Sequence, residues 1–239
     1  MSQALVLWDI DRTLVYVGDT DRLIYRELVQ DLLGHPAEHL PAKGTGRTVP
    51  LAVRELLQRN GAPEQDVDHL VAQAVDELPG RLDRHRCHML THGHLLPGAV
   101  QALAAVHARP GLVPSVVTGN LQRSAQIKLD AFGLSRFVDT SLGGYSSDDP
   151  HRPHLVGISQ QRTKDALGID FTPTSTVVIG DSLEDVTTGR EGGARVIAVA
   201  SGTTSADQLR AAGADTVLSD LTDTVALCRA VFALTDHGP

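Results

Sequence analysis

Ala4–Leu5–Val6–Leu7–Trp8–Asp9–Ile10–Asp11–Arg12–Thr13–Leu14 (ALVLWDIDRTL) decides how this chain is read. Its first five residues are apolar and partly β-branched, which suits a strand covered on both faces. The run then stops at two carboxylates spaced i, i+2. In doubly wound sheets the carboxyl end of a strand is where ligands bind. Two carboxylates held out of water are costly unless a cation or a proton compensates them. Solvated loop aspartates are the plain alternative for this segment alone.

Outward from this stretch, the same kind of run recurs at Val113–Val117, Thr176–Ile179 and Arg195–Val199, more weakly at Phe137–Thr140, and as an edge at Thr216–Leu218. Helical patterns lie between them. Val100–Ala108 follows Pro97–Gly98, Leu121–Phe132 ends at Gly133, Pro153–Leu167 at Gly168, and Leu183–Glu191 at Gly192. Glycine just past the last apolar position is a common helix stop. Strands alternating with helices of this length predict an α/β, doubly wound (Rossmann-like) parallel sheet with helices on both faces.

From about Tyr16 to Leu90 the rhythm changes, and no convincing strand is found. Asp21–Leu33 puts Leu23, Ile24, Leu28 and Leu32 on one face before Gly34. Thr48–Asn60 has Thr48 as cap and Pro50 in its first turn. Glu64–Leu78 puts Val67, Leu70, Val71, Ala74, Val75 and Leu78 on one face, and a short polar segment follows at Arg81–Leu90. The expected organisation is a core of residues 1–15 and 95–239, with an all-helical insert, residues 16–94, between its first strand and the rest.

Two further strand ends carry chemistry. In Val116–Val117–Thr118–Gly119–Asn120 a hydroxyl and a small residue follow a buried strand and open a helix. Backbone N–H groups at a helix N-terminus, beside a hydroxyl, make a phosphate cradle. An ordinary helix cap has the same composition. In Val177–Val178–Ile179–Gly180–Asp181–Ser182–Leu183–Glu184–Asp185, Asp181 ends a strand and Asp185 lies one helical turn on. Hard oxygen donors from separate strand ends suit Mg²⁺. The alternative is that Asp181 caps the helix and Asp185 favours its dipole.

In their order and placement these pieces resemble the haloacid dehalogenase (HAD) superfamily. DIDRTL resembles its motif I (DxDxTL), VVTGN its motif II, and VVIGDSLEDV its motif IV (GDxxxD). LQRSAQIKLDAFGL (Leu121–Leu134) looks like the phosphoglycolate phosphatase-like branch, and a helical insert right after motif I is similar to that family's C1 cap. The resemblance covers nearly the whole core. It implies an Mg²⁺-dependent phosphatase acting on a small phosphorylated metabolite. Asp9 would be the nucleophile and Asp11 the general acid and base. Asp9, Asp181 and the Asp11 carbonyl would hold the metal, with Asp185 orienting. Thr118, Gly119 and Asn120, with the motif III cation, would bind phosphate. The family places Lys–Pro where this chain has Arg152–Pro153, so Arg152 is favoured for that cation over Lys164, which falls late in the same helix. Arg12 stands where many relatives have glycine, and could reach substrate or face solvent. The basic loop Lys43–Gly44–Thr45–Gly46–Arg47 is a candidate specificity element through Arg47, or a solvated connection.

Composition narrows the setting. Of 239 residues, 41% are hydrophobic and the formal net charge is −8, against the basic stripe that nucleic-acid binding needs. The two cysteines fit no metal or redox spacing. Neither a signal peptide nor a run of about 20 apolar residues is found. A soluble, cytoplasmic protein with no membrane partner is expected. His85, Cys87, His88, His92 and His94 are dense but match no standard zinc pattern, and Asp148 and Asp149 read as solvated loop acids. A dehalogenase would lack the second acid. A sugar phosphomutase of the β-phosphoglucomutase kind shares all the motifs, and a non-catalytic phospho-ligand binder shares the fold. A receiver-type phospho-switch would carry its acceptor on a middle strand without an insert. The substrate and the oligomeric state are not read from sequence.

Overall fold

The computed structural model describes residues 3–42, 44 and 46–235. In chain order, β1 is Ala4–Trp8 and β2 Val15–Tyr16. Four helices follow: α1 (Thr20–Leu33), α2 (Val49–Arg59), α3 (Val67–Arg84) and α4 (Arg86–His92). Next come β3 (His94–Leu95), α5 (Ala99–His107), β4 (Leu112–Thr118), α6 (Gln122–Ala131), β5 (Gly144–Tyr145), α7 (His154–Leu167) and β6 (Thr176–Gly180). The chain closes with α8 (Leu183–Gly192), β7 (Arg195–Val199), α9 (Ala206–Ala211), β8 (Thr216–Leu218) and α10 (Thr224–Leu234).

Among the described residues, six strands form one parallel sheet in the order β5-β4-β1-β6-β7-β8. The chain winds one way from β1 through β4 to β5. It then returns to β6 on the other side of β1 and continues outward. The strand order therefore reverses beside β1, which opens a crevice at the carboxyl ends of β1 and β6.

Alternation along β1 explains its placement. Ala4, Val6 and Trp8 face one side and join Leu103, Val106, Leu129, Leu227 and Val231 of α5, α6 and α10. Leu5 and Leu7 face the other and join Val117, Val178, Leu155 and Val156, the last two from α7. Each side chain is fully buried, and burying a leucine or valine stabilises by about 1.5–3 kcal/mol.

β2 and β3 pair antiparallel, Val15 opposite Leu95 and Tyr16 opposite His94, so both ends of the helical segment leave the core side by side. Ile24 and Leu28 of α1, Val53 and Leu57 of α2, and Val67, Val71, Ala74, Leu78 and Leu82 of α3 pack into the same apolar cluster as the α5/α6 face of the sheet.

Two expectations are corrected. Phe137–Thr140 is not a strand: 3₁₀ turns form at Ser135–Phe137 and Thr140–Leu142, the second capped by Asp139, whose side chain accepts from Ser141 N at 3.0 Å. The edge strand is Gly144–Tyr145 instead. The helix expected to end at Leu78 continues through Pro79 to Arg84. Pro79 there lacks an amide donor, yet burial of Leu78 and Leu82 on either side holds the helix together.

Candidate active site

The crevice beside β1 brings together acids from two strand ends. Asp9 follows β1, and its amide donates to Ile179 O at 2.8 Å, fixing it against β6. Asp181 follows β6 and accepts from Thr13 Oγ1 at 3.0 Å. Asp185 sits in the first turn of α8 in a reciprocal cap. Its amide donates to Ser182 Oγ at 3.2 Å, while its Oδ2 accepts from Ser182 N at 2.9 Å and from Ser182 Oγ at 2.6 Å. The helix cap is therefore Ser182 and not Asp181, and Asp185 both completes that cap and stands in the acid cluster. Asp9, Asp181 and Asp185 are all buried, and one carboxylate oxygen of each lies within 4.8 Å of the others.

One buried cation answers them. Arg152, 3% exposed, donates from Nη2 to Asp9 Oδ1 at 2.8 Å and to Asp185 Oδ1. Its Nη1 donates to Gly46 O of the α1–α2 loop. Among the described residues Nε has no partner although it is buried. Burial disfavours the guanidinium, but Asp185 and Asp9 outweigh that and keep it charged. Burial, then the neighbouring Asp185, pushes Asp9 well above the usual carboxylate range and Asp181 up to about 7. Three buried carboxylates against one guanidinium leave the cluster short of positive charge. A hard divalent cation fits this donor set, because it takes carboxylate oxygens and removes the penalty of burying them.

Room for the acids is made by glycine. A Cβ on Gly180 would overlap the Asp185 carboxyl, and one on Gly202 would overlap Asp181 Oδ2.

Asp11 lies across the crevice in a second group. Lys128 Nζ, on α6, donates to both Asp11 oxygens at 2.8 and 2.9 Å and to Asp21 Oδ2 of α1 at 3.4 Å. Asn120 Nδ2 donates to Asp11 Oδ2 at 2.7 Å and to Thr118 Oγ1 at 2.8 Å. Burial disfavours the Lys128 ammonium, but Asp11 and Asp21 override it and raise its pKa. The Lys128 side chain is 2% exposed, whereas Asp11 keeps 34% and Asp21 43%, so the acids, not the lysine, are open to a ligand.

Between the two groups lies a cavity of about 200 Å³, lined by Asp9, Asp11, Thr118, Gly119, Lys128 and Arg152 from the core and by Ile24, Tyr25, Arg47 and Leu82 from the insert. The α1–α2 loop closes over it. Val49 N donates to Gly119 O at 2.9 Å and Thr48 Oγ1 to Pro150 O at 2.9 Å.

The other sequence candidates fall as follows. Lys164 is on the surface, paired with Asp170 at 2.8 Å. Arg47 lines the cavity and pairs with Glu55. Lys43 and Thr45 of the same loop lie outside the described residues. Arg12 has φ 65°, the left-handed region that favours glycine, which explains the glycine of the resembling motif. Its guanidinium sits 5.2 Å from the Tyr16 ring centroid and lines the cavity. His85 pairs with Glu27 at 2.9 Å and His88 stacks on His92, and among the described residues these side chains form no compact set of metal-type ligands. Asp149 takes the His151 amide at 2.6 Å. Asp148, expected to be solvated, is instead bound to Arg162 at 2.8 Å through both oxygens.

Sequence reasoning missed Lys128 and Asp21. A signal existed for the lysine: Leu121, Ala125, Lys128, Leu129 and Phe132 share one helical stripe, so a lysine sits where an apolar residue is expected.

A parallel sheet of this order with a carboxylate cluster at its reversal point defines a class of hydrolases. Residues 6–190 match the haloacid dehalogenase-like hydrolase family, and the chain belongs to it. It is 28% identical over 234 residues to "Probable phosphatase IndB" of Dickeya dadantii, covering 96% of this chain and 95% of that one. It is 25% identical over 219 residues to a phosphoglycolate phosphatase of Haemophilus influenzae, covering 90% and 94%. A solved structure described as a predicted phosphatase from Clostridium acetobutylicum superposes with a TM-score of 0.70 at 16% identity, covering 96% of this chain and all of that one. Among the described residues no helix is long and apolar enough to cross a membrane.

Proposed function

We propose that this protein is a Mg²⁺-dependent phosphatase that hydrolyses a small-molecule phosphate monoester through an aspartyl-phosphate on Asp9. The observation that carries the reading is the buried Asp9–Asp181–Asp185 cluster with Arg152 on Asp9, at the point where the strand order reverses.

Asp9 attacks phosphorus, and its carboxylate oxygen forms the new P–O bond as the bond to the leaving oxygen breaks. Asp11 gives its proton to the departing alkoxide, then takes one from the water that attacks the phosphorus of the intermediate and frees Asp9. Arg152 neutralises phosphoryl oxygens from its place beside Asp9 in the cavity wall. Thr118, Gly119 and Asn120 border the phosphate position, the Asn120 amide also holding Asp11. Asp9, Asp181 and the Asp11 carbonyl would hold Mg²⁺, with Asp185 orienting, and the ion would supply positive charge to the phosphoryl group.

Residues 16–94 act in this reading as a cap over the core of 1–15 and 95–239. Its α1–α2 loop excludes water, and Arg47 meets the leaving group. A cytoplasmic setting fits two cysteines that are free thiols, Cys87 exposed and Cys228 buried. Purified protein supplied with Mg²⁺ should release inorganic phosphate from at least one member of a panel of phosphoglycolate, sugar phosphates and nucleotides. Silence across the panel, 4-nitrophenyl phosphate included, would overturn the reading, and isomerisation of a hexose phosphate without phosphate release would replace it with a mutase.

A further inference from the structure

Lys128 is the one buried lysine of the cavity wall among the described residues, and the mechanism above does not use it. An ammonium is strongly hydrated, and taking it from water is costly. Helix α6 accepts that cost on its apolar stripe, where methionine or leucine would pack without it. What the lysine gains is specific. It reaches both oxygens of Asp11, at 2.8 and 2.9 Å, and Asp21 of the insert at 3.4 Å. Asn120 holds the same Asp11 carboxylate from another side at 2.7 Å. Asp11 is thereby fixed in rotation by two donors from the core, while its remaining surface faces the cavity.

We propose that Lys128 is the positioning residue of Asp11, holding its carboxylate on the leaving-group side of the cavity beneath the insert. The inference rests on the phosphatase reading and deepens it. Lys128 does not touch the reacting atoms. It acts through Asp11, and its contact to Asp21 ties that placement to the insert being seated on the core. The alternative is a tie that merely holds insert to core, and the two roles differ in what they do to different esters. Proton donation matters to an alkyl phosphate, whose alkoxide is a poor leaving group. It matters little to 4-nitrophenyl phosphate, whose phenolate leaves unaided.

The test is Lys128→Met, assayed with Mg²⁺ on 4-nitrophenyl phosphate and on whichever alkyl phosphate the wild type hydrolyses best. The expected result is a kcat/KM loss of about 100-fold on the alkyl ester, the scale of general acid catalysis; kcat/KM ends at formation of the aspartyl-phosphate, so the later role of Asp11 as base to water, common to both esters, does not enter it. The aryl ester should lose less than tenfold in kcat/KM. In an Asp11→Asn background, the same substitution should cost almost nothing further on the alkyl ester, because a residue acting through Asp11 has nothing left to act on. Should the methionine variant not fold, Lys128→Gln keeps a donor without the charge and should show the same selective loss. Equal losses on both esters, or additive losses with Asp11→Asn, overturn this inference and leave the phosphatase reading standing. A wild type silent on every ester overturns both.

Discussion

The two carboxylate groups that face each other across the cavity are built from the same parts and are not equivalent. On one side, three buried aspartates share the single guanidinium of Arg152. On the other, two partly open aspartates share the ammonium of Lys128. The first group comes from strand ends and the first turn of α8, and is short of positive charge. The second joins a core loop to a helix of the insert and is nearer to neutral. The difference teaches that burial without enough cations leaves a place that a metal ion could fill, which is where the proposed reading puts the metal and the nucleophile. Near-balance with access to the cavity marks where a proton can be handled.

The largest effect that would break this contrast is at Asp9. Asp9→Asn should reduce turnover of 4-nitrophenyl phosphate to assay background while circular dichroism and thermal unfolding stay close to wild type. Retained turnover removes Asp9 from the nucleophile's role.

Metal removal comes next. Activity should vanish with chelator and return with Mg²⁺. Mg²⁺ should also raise the thermal midpoint of the wild type by binding only the folded state, and raise that of Asp181→Asn much less. A shift equal in both places the ion away from this cluster.

A smaller effect separates charge from shape in the first group. Arg152→Lys keeps one positive charge but not the planar fork that reaches Asp9, Asp185 and Gly46 O together. We expect kcat/KM to fall about tenfold, against about 100-fold or more for Arg152→Ala, on the scale of losing an electrostatic donor. Equal losses would mean that the fork, not the charge, is what matters.

The smallest effect concerns the insert. Arg47→Ala should raise KM for an ester whose leaving group carries an anion of its own several-fold more than KM for an aryl phosphate whose leaving group carries no further charge. Because Arg47 is bound to Glu55, part of its charge is already answered, which keeps the effect small. Equal changes in both KM values would make Arg47 a structural loop residue.

The sequence made the first group legible and hid the second. β1, β4, β6, β7 and β8 are short apolar runs with acids or hydroxyls at their ends, and α6, α7 and α8 stop at or just before glycines, so the sheet and its reactive edge were readable locally. Arg152 was found through the resemblance, because Arg152–Pro153 opens a helix where the family places Lys–Pro. Lys128 and Asp21 could not be paired this way, since they lie 107 residues apart on different helices and meet only through packing of the insert on α6. The strands β2, β3 and β5 are two residues long, too short for any period to register. Their pairing is set by the chain on either side of them. Phe137–Thr140 misled because its apolar content looks like a strand while Asp139 draws the backbone into a turn through a local hydrogen bond.

Gly180 and Gly202 carry a consequence for how this chain can vary. Neither has a side chain to offer chemistry, yet a single added methyl at either position collides with a carboxylate of the acid cluster. The acids therefore impose their own footprint on the neighbouring backbone. The set of sequences that can keep this site is narrowed at silent positions as sharply as at reactive ones, and alanine, the gentlest replacement elsewhere, is among the harshest here.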